Sequence, residues 1–308
     1  MSRAAFVAAV VIAASAGLAS AASDSPTARP RVTIAAAGDI ACDPADPAYV
    51  GGAGSDQSCR QLSTSDLLVA GRYAAVLTLG DNLYEDGDYA DFIESYGRSW
   101  GRVKAITHPA PGNHDYHTPG AVGYYRYFGA AAGAPARGYY SFDLGGWHLI
   151  ALNSICGVVG GCGQRSPQAR WLRVDLSAHG STKCTLAYWH HPRFSSGQHG
   201  SDLAYAAFWR ALYAAKADLV LVGHDHDYER FAPQTPSGVR DATRGLREFV
   251  VGTGGRNLRG FETVRSNSEV RDATSFGILT LTLRPGRYDW RFLPAVGSFT
   301  DSGSDVCH

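Results

Sequence analysis

Five short segments of this sequence carry side chains that could bind divalent metal ions. Each places aspartate, asparagine, tyrosine or histidine directly after a run of apolar residues. The segments are Gly38-Asp39, Gly80-Asp81-Asn82-Leu83-Tyr84, Gly112-Asn113-His114-Asp115, Trp189-His190-His191 and Gly223-His224-Asp225-His226. Carboxylate, amide and imidazole groups suit hard and borderline divalent metals. A single aspartate or histidine at a strand end usually belongs to a turn, but five such segments in one chain favour a metal site.

The apolar runs before these segments predict an α/β fold. Short runs rich in β-forming residues predict strands at 32–37, 75–79, 104–107, 147–153, 185–189, 219–222, 248–252 and 276–283. Helical patterns predict helices at 64–70, 89–100, 167–178 and 203–217. Ser166 and Pro167 suit the N-cap and first turn of the third helix. In open α/β sheets ligands bind beyond the carboxyl ends of the strands, where these polar segments are expected.

Composition narrows the class of protein. Charged residues make up 18% of the chain, 36 of its 308 residues are glycine, and its formal net charge is zero. Disordered, collagen-like and coiled-coil proteins are therefore unlike this sequence. The balanced charge indicates neither a specific nucleic-acid partner nor an anionic membrane surface. We find no internal repeat and no linker, which predicts a single domain.

The first 21 residues have the pattern of a secretory signal peptide. Arg3 precedes an uninterrupted run of apolar and small residues at 4–18, and Ala19-Ser20-Ala21 supplies a small-x-small cleavage pattern. An uncleaved N-terminal anchor is the alternative. No later run approaches the roughly 18 apolar residues of a membrane span. We therefore expect a secreted protein without a membrane anchor after cleavage, with residues 22–308 forming one catalytic domain.

Six cysteines in an exported chain are expected to form disulfides. Six cysteines allow about 15 connectivities, among which the sequence does not choose. Proximity along the chain favours Cys42–Cys59 and Cys156–Cys162, which leaves Cys184 with Cys307. A thiolate metal site is the alternative, and it is disfavoured because the sequence has no C-x-x-C pair.

The order of the five segments resembles the calcineurin-like metallophosphoesterases, and within them the purple acid phosphatase branch. The resemblance extends from about Gly38 to Arg230, and all five motifs in order are far more specific than any one. His190 in Tyr188-Trp189-His190-His191-Pro192 fits the fourth motif best, because the family often has x-Pro after this ligand. The turn Gly252-Thr253-Gly254-Gly255 is similar to that branch, and it lacks the spacing of a dinucleotide-binding motif.

One substitution points to the branch. Many metallophosphoesterases have Gly-Asp-x-His in the first motif, with the histidine as a metal ligand. Here Asp39 is followed by Ile40 and Ala41, so that imidazole is missing. Tyr84, three residues after Asp81, stands where purple acid phosphatases supply a phenolate ligand instead. A buried structural tyrosine is the alternative interpretation.

The resemblance implies a fold, a ligand set and a pair of metals. The fold is a four-layer α/β/β/α sandwich of two mixed sheets flanked by helices. The first metal would be held by Asp39, Tyr84 and His226, the second by Asn113, His190 and His224, with Asp81 bridging both. The metals implied are Fe(III) and a divalent ion, which could be iron, zinc or manganese.

The resemblance also implies an activity. We expect a hydrolase of small-molecule phosphate esters, an acid phosphatase-like phosphomonoesterase in which a metal-activated hydroxide attacks phosphorus in line. His114 would not bind metal but would hydrogen-bond or protonate the leaving oxygen. The alternatives are a phosphodiesterase or phospholipase-like hydrolase on the same site, or a secreted binding module without catalysis. Degenerate members are expected to lack ligands, and none is missing once Tyr84 is counted.

Several residues near the motifs have two interpretations. His191, Arg193 and His199 could contact phosphate or lie in a solvent-exposed loop. Asp115 is expected to orient His114 or cap a turn. Asp225 and Asp227 flank the last histidine pair as candidate partners of metal ligands, or else face solvent.

Overall fold

A computed structural model describes residues 1–2, 4–6, 8–9 and 31–308. Most of the predicted signal peptide, 1–21, lies outside these residues, so it stays a prediction. Among the described residues, no helix has the length and apolar character needed to span a membrane.

The strands form two mixed sheets. Their bounds are β1 Val32–Ala37, β2 Ala75–Leu79, β3 Thr107–Ala110, β4 Tyr140–Leu144, β5 Trp147–Ala151, β6 Cys184–Tyr188, β7 Leu219–Val222, β8 Tyr228–Phe231, β9 Arg247–Val251, β10 Ser268–Asp272, β11 Phe276–Arg284, β12 Arg287–Val296 and β13 Ser302–Val306. The first sheet has the order β13-β12-β11-β1-β2-β3 and the second β10-β8-β9-β7-β6-β5-β4. Strands β1, β2 and β3 are parallel, and so are β5, β6, β7 and β9.

The helices are short. Their bounds are α1 Gln61–Ala70, α2 Tyr89–Asp91, α3 Val122–Phe128, α4 Pro167–Ala178 and α5 Ala206–Ala214. A π-helical segment covers Phe92–Tyr96, and 3₁₀ turns cover Val50–Gly52, Trp100–Ile106, His114–Tyr116, Pro119–Ala121, Gly129–Ala132, Cys156–Val158 and Leu203–Tyr205. The Ser166 hydroxyl accepts a hydrogen bond from the backbone N–H of Ala169 at 3.2 Å, which confirms the predicted N-cap of α4.

Alternation along the strands explains the layers. In β5 and β6, Leu149 and Leu186 belong to a core shared with residues of the first sheet. Their neighbours Ile150 and Ala187 belong to a second core that contains apolar residues of α4 and α5. Helix α1 packs against β11 and β12 on the first sheet. The structure thus confirms the four-layer α/β/β/α fold, in which each sheet has one face on the common core and one under helices.

Some predicted elements have different bounds. The strand predicted at 104–107 is wrong, because a 3₁₀ segment continues to Ile106 and β3 begins at Thr107. A short apolar run does not distinguish a strand from a helical segment by periodicity. The helix predicted at 89–100 is α-helical only over Tyr89–Asp91, after which the N–H of Gly97 bonds to the carbonyl of Phe92 and forms a π-type turn. The helix predicted at 203–217 begins as a 3₁₀ turn and ends at Ala214.

All six cysteines are paired. The disulfides are Cys42–Cys59, Cys156–Cys162 and Cys184–Cys307, as chain proximity favoured. The last of these joins β6 of the second sheet to the residue after β13 of the first, so it links the two sheets.

Candidate metal centre

The predicted ligands meet where the carboxyl ends of the two sheets face each other. In the first sheet, Asp39, Asp81 and Asn113 each lie just beyond the adjacent parallel strands β1, β2 and β3. In the second sheet, His190 and His224 each lie two residues beyond the adjacent parallel strands β6 and β7. Parallel strands bring their carboxyl ends to one edge, which explains why segments far apart in sequence lie together.

Tyr84 is the centre of a first group of converging atoms. Its hydroxyl oxygen lies 2.8 Å from Oδ1 of Asp39, 2.9 Å from Oδ2 of Asp81 and 3.0 Å from Nε2 of His226. The ring is almost fully buried, with 2% of its surface exposed. These are the residues expected around a first metal.

His190 is the centre of a second group. Its Nε2 lies 3.1 Å from Oδ1 of Asn113, 3.2 Å from Nδ1 of His224 and 3.3 Å from Oδ2 of Asp81. The same oxygen of Asp81 therefore contacts both groups. That position is the one required of a bridging carboxylate.

Two histidines are oriented by their other ring nitrogen. Nδ1 of His190 donates to the carbonyl of Leu79 at 2.8 Å, and Nδ1 of His226 donates to the carbonyl of Asn257 at 2.9 Å. In the neutral rings, Nε2 then carries a lone pair and points into the site, as in metal-binding histidines. Asn257 is not among the residues predicted for the site. Its position just after the Gly252–Gly255 turn was the available signal.

The donor set fits two cations. The hydroxyl of Tyr84 carries one hydrogen, yet two carboxylate oxygens and a lone-pair nitrogen converge on it. Around Nε2 of His190, an amide oxygen and a carboxylate oxygen likewise face a nitrogen that is an acceptor in the neutral ring. Buried acceptors that face one another need positive charge between them. One cation in each group would satisfy them.

The electrostatics agree with this excess of negative charge. Burial raises the pKa of Tyr84, and the carboxylates of Asp39 and Asp81 raise it further, well above its ordinary value. Burial lowers the pKa of His190, but the Asp81 carboxylate overcomes this and raises it to about 9. Burial and neighbouring imidazoles lower the pKa of His224. In the metal-free chain, protons on Tyr84 and His190 balance the carboxylates, and a bound cation must displace them.

The backbone is strained at three of these residues. Asp39, Asp81 and His224 have φ of 59°, 46° and 71°, in the left-handed region that L-residues seldom occupy. Such conformations cost about 1–3 kcal/mol each and cluster at functional sites. Gly80, with φ of 84°, is required as glycine, because a Cβ there would lie 2.6 Å from the ring of His190.

His114 lies beside the converging atoms but not among them. Its Nε2 is 3.9 Å from Oδ2 of Asp81, and its ring centroid is 4.2 Å from that of Tyr84. Nδ1 faces the carbonyl of Glu85 at 2.8 Å, so this nitrogen carries the proton and Nε2 is the atom left to face a ligand. The side chain is 20% exposed.

The structure gives different surroundings to the three residues expected either to contact phosphate or to lie in a solvent-exposed loop, His191, Arg193 and His199. His191 bonds to the hydroxyl of Ser154 at 2.8 Å, and burial followed by the charge of His190 lowers its pKa to about 3. The ring of His199 stacks on that of His224 with centroids 4.2 Å apart. Arg193 is buried, and its guanidinium donates to the carbonyl of Pro236. His191 therefore directly follows the predicted ligand His190 in the chain, and His199 packs against the predicted ligand His224.

The buried aspartates act on the backbone around the ligands. Oδ2 of Asp115 accepts from the N–H of Gly112 and the side chain of Asn82, which fixes the turn of the third motif. Burial and the charge of Asp81 raise the pKa of Asp115 to about 7. Asp225 accepts from the backbone N–H of His199 at 2.8 Å. Neither carboxylate oxygen of the buried Asp227 has a hydrogen-bond partner among the described residues.

The chain is similar to known phosphatases in sequence and in fold. Purple acid phosphatase 18 of Arabidopsis thaliana is 29% identical over 212 residues, which cover 63% of this chain and 46% of that protein. Purple acid phosphatase PPD1 from yellow lupin seeds superposes with a TM-score of 0.68 at 18% identity, covering 89% of this chain and 53% of that one. A dimetal phosphatase from Danio rerio superposes with a TM-score of 0.60 at 16% identity, covering 87% and 98% of the two chains.

The two structural similarities show the fold alone. This chain spans about half the length of these two purple acid phosphatases. The sequence profile described as Calcineurin-like phosphoesterase matches residues 32–228, which is more than half of the chain and includes all five motifs. The chain therefore belongs to the calcineurin-like phosphoesterase family, and within that family it is similar to the purple acid phosphatases.

Proposed function

We propose that this chain is a dinuclear metal-dependent hydrolase of phosphate esters, with the activity of an acid phosphatase-like phosphomonoesterase. One observation carries the proposal: two groups of buried acceptors, which share one oxygen of Asp81, converge without enough protons to satisfy them. Two metal ions bound there would supply Lewis acidity and lower the pKa of a bound water.

Each predicted ligand has a place in this proposal. The first metal would be held by Asp39, Tyr84 and His226, and the second by Asn113, His190 and His224, with Asp81 as the ligand that both would share. The phenolate and carboxylates of the first group suit Fe(III), and the amide and imidazoles of the second suit divalent iron, zinc or manganese. The neutral amide of Asn113 limits the ligand charge at the second position.

His114 is assigned to the leaving group. Its Nδ1 proton is held by the carbonyl of Glu85, which orients the ring with Nε2 3.9 Å from Oδ2 of Asp81. In the imidazolium form, Nε2 can donate a hydrogen bond or a proton to the departing oxygen.

Secretion and a single catalytic domain, 22–308, are part of the proposal. Three disulfides are typical of proteins from oxidising compartments. The common core between the sheets supports one folding unit.

The test combines metal analysis with a substrate panel. The purified chain should contain two metal ions and hydrolyse 4-nitrophenyl phosphate, whereas Asp81→Asn should lose metal and activity. Metal-loaded protein that cleaves neither this monoester nor bis(4-nitrophenyl) phosphate would contradict the proposal and favour a binding module. If the diester is cleaved faster than the monoester, the site is that of a phosphodiesterase instead of a phosphomonoesterase.

A further inference from the structure

We propose that Arg259 is a specificity-determining residue that binds a second anionic group of the substrate, beside the phosphoryl group that is cleaved. This inference rests on the proposed function, since it concerns the substrate of the same site. The substrates it favours are phosphate esters and anhydrides that carry a further phosphate or carboxylate.

The position of Arg259 is fixed by two contacts with the candidate centre. Its backbone N–H donates to the carbonyl of His226 at 2.9 Å. Its guanidinium Nη1 lies 2.8 Å from Nε2 of His199, whose ring stacks on that of His224. One imidazole therefore separates the guanidinium from a proposed metal ligand.

The charge of Arg259 is not neutralised by the protein. It forms no ion pair with any carboxylate in the described part of the chain, and its one side-chain hydrogen bond there is to His199. Arg256, three residues earlier in the same loop, is the contrast, because it pairs with both Asp46 and Glu85. A guanidinium has five N–H donors, so most of those of Arg259 are left for a ligand.

The partner of Arg259 is itself held in place. Because arginine can only donate, Nε2 of His199 accepts, and the proton of the neutral ring is on Nδ1. The backbone N–H groups of His199 and Gly200 donate to the buried carboxylate of Asp225 at 2.8 and 3.2 Å. This arrangement holds the imidazole against His224 and the guanidinium beside it, so little order has to be gained on binding.

The chemistry of the ligand follows from the donor. A guanidinium matches the paired oxygens of a phosphate or carboxylate, and bonds to it are charge-assisted. In the proposed function, the two metals would bind the phosphoryl group that is cleaved. Arg259 is therefore available for another anionic group of the same molecule.

The experiment compares substrates and ligands that differ by that group. Phenyl phosphate, which has no second anionic group, is compared with 3-carboxyphenyl phosphate and with pyrophosphate. These two substrates show whether Arg259 prefers a carboxylate or a phosphate as the second group. Calorimetric binding of methylphosphonate is compared with that of methylenediphosphonate, which needs no turnover. The variants are Arg259→Gln, Arg259→Lys and, as a matched control, Arg265→Gln. Arg265 is an exposed arginine that donates to the carbonyl of Ser195, and in the described part of the chain it forms no hydrogen bond to a proposed ligand.

We expect Arg259→Gln to lower the preference for the second anionic group about 10- to 100-fold, the range for hydrogen bonds to charged groups. Phenyl phosphate kinetics and metal content should change little, Arg259→Lys should retain part of the preference, and Arg265→Gln should retain nearly all of it. An unchanged preference in Arg259→Gln, or an equal loss in Arg265→Gln, would overturn the inference. If the wild type cleaves no ester, the proposed function fails, and the phosphonate pair still tests Arg259.

Discussion

At the scale of single residues, Tyr84 is the most direct reporter of metal identity. A phenolate on Fe(III) gives a charge-transfer band in visible light, so we expect oxidised protein to be coloured and Tyr84→Phe to be colourless with less iron. Tyr124→Phe is the control, because Tyr124 is buried with its hydroxyl on the carbonyl of Pro109. Absorption spectra and metal analysis check this. A colourless wild type with stoichiometric zinc would refute the ferric assignment and leave the hydrolase proposal intact.

His114 should affect the leaving group without affecting the metals. Replacing it by Asn removes the hydrogen bond or proton to the departing oxygen, a loss of about 10²–10⁴-fold in rate. The leaving group of an alkyl phosphate is a strongly basic alkoxide, so the hydrolysis of this ester should slow most. Nitrophenolate is a better leaving group and needs less help from His114. Steady-state rates on both esters, with metal content, measure this difference.

The control for that prediction is His224→Asn. It removes a proposed ligand, so it should lower metal occupancy and slow both esters together. The role assigned to His114 is wrong if His114→Asn strips a metal, or if it slows both esters equally while chemistry limits the rate.

At the scale of elements, the sequence predicted three of the strands that carry the site better than two strands at the sheet edges. Strands β1, β2 and β7 have the predicted bounds, because each is a buried apolar run that ends in a polar motif. The polar strands β10, Ser268–Asp272, and β13, Ser302–Val306, were missed, since sheet-edge strands with mixed exposure lack a clear apolar pattern.

The same distinction applies to the site. All seven predicted ligands converge because each belongs to a motif with its own signal. Asn257 and Arg259 belong to none of the five motifs, and only the folding of the loop after β9 brings them to His226 and His199. Contacts made between distant segments by side chains in irregular loops are the part that one sequence does not predict.

A buried histidine joins β4, β5 and α4 and should make stability depend on pH. Nδ1 and Nε2 of His148 each lie 2.8 Å from a carboxylate oxygen, of Asp143 and Asp175 respectively. Carboxylates only accept, so both nitrogens carry protons and the ring is an imidazolium. Burial lowers the pKa of His148, but the two carboxylates outweigh it and the pKa is raised. The ring of His179 stacks on this imidazolium.

The sign of the effect follows from the raised pKa. The stabilisation by His148 is complete below its unfolded value of about 6.5 and is lost as pH rises through the folded value. The pKa of Asp175 is lowered despite burial, so the stabilisation that its carboxylate contributes is lost only in stronger acid. We expect His148→Gln to cost about 1–3 kcal/mol at pH 5.5 and less at pH 8.5, by urea unfolding. An equal cost at both pH values would contradict a charged His148 ring held between Asp143 and Asp175.

At the scale of the whole molecule, the candidate centre lies between the two sheets and so reports on their packing. Asp39 follows a strand of the first sheet, and its Oδ2 accepts from the backbone N–H of His224, which follows a strand of the second. Metals that bind only this assembled site stabilise the fold by about 2.7 kcal/mol at a hundred times their Kd. Chelation should therefore lower the melting temperature by several degrees, as calorimetry can measure. Asp81→Asn should melt at the same temperature with and without chelator.

The Cys184–Cys307 disulfide should contribute more to global stability than the shortest one. It spans 123 residues, whereas Cys156–Cys162 spans 6. In the chain-entropy model the long loop gives about 5 kcal/mol and the short one about 2–3 kcal/mol, because a longer closed loop restricts the unfolded chain more. We expect the Cys184→Ser/Cys307→Ser double variant to lose correspondingly more stability in urea than Cys156→Ser/Cys162→Ser, and the native oxidised protein to show no reactive thiol. If the long-range pair costs no more than the short one, the link between the sheets does not constrain the unfolded chain as proposed.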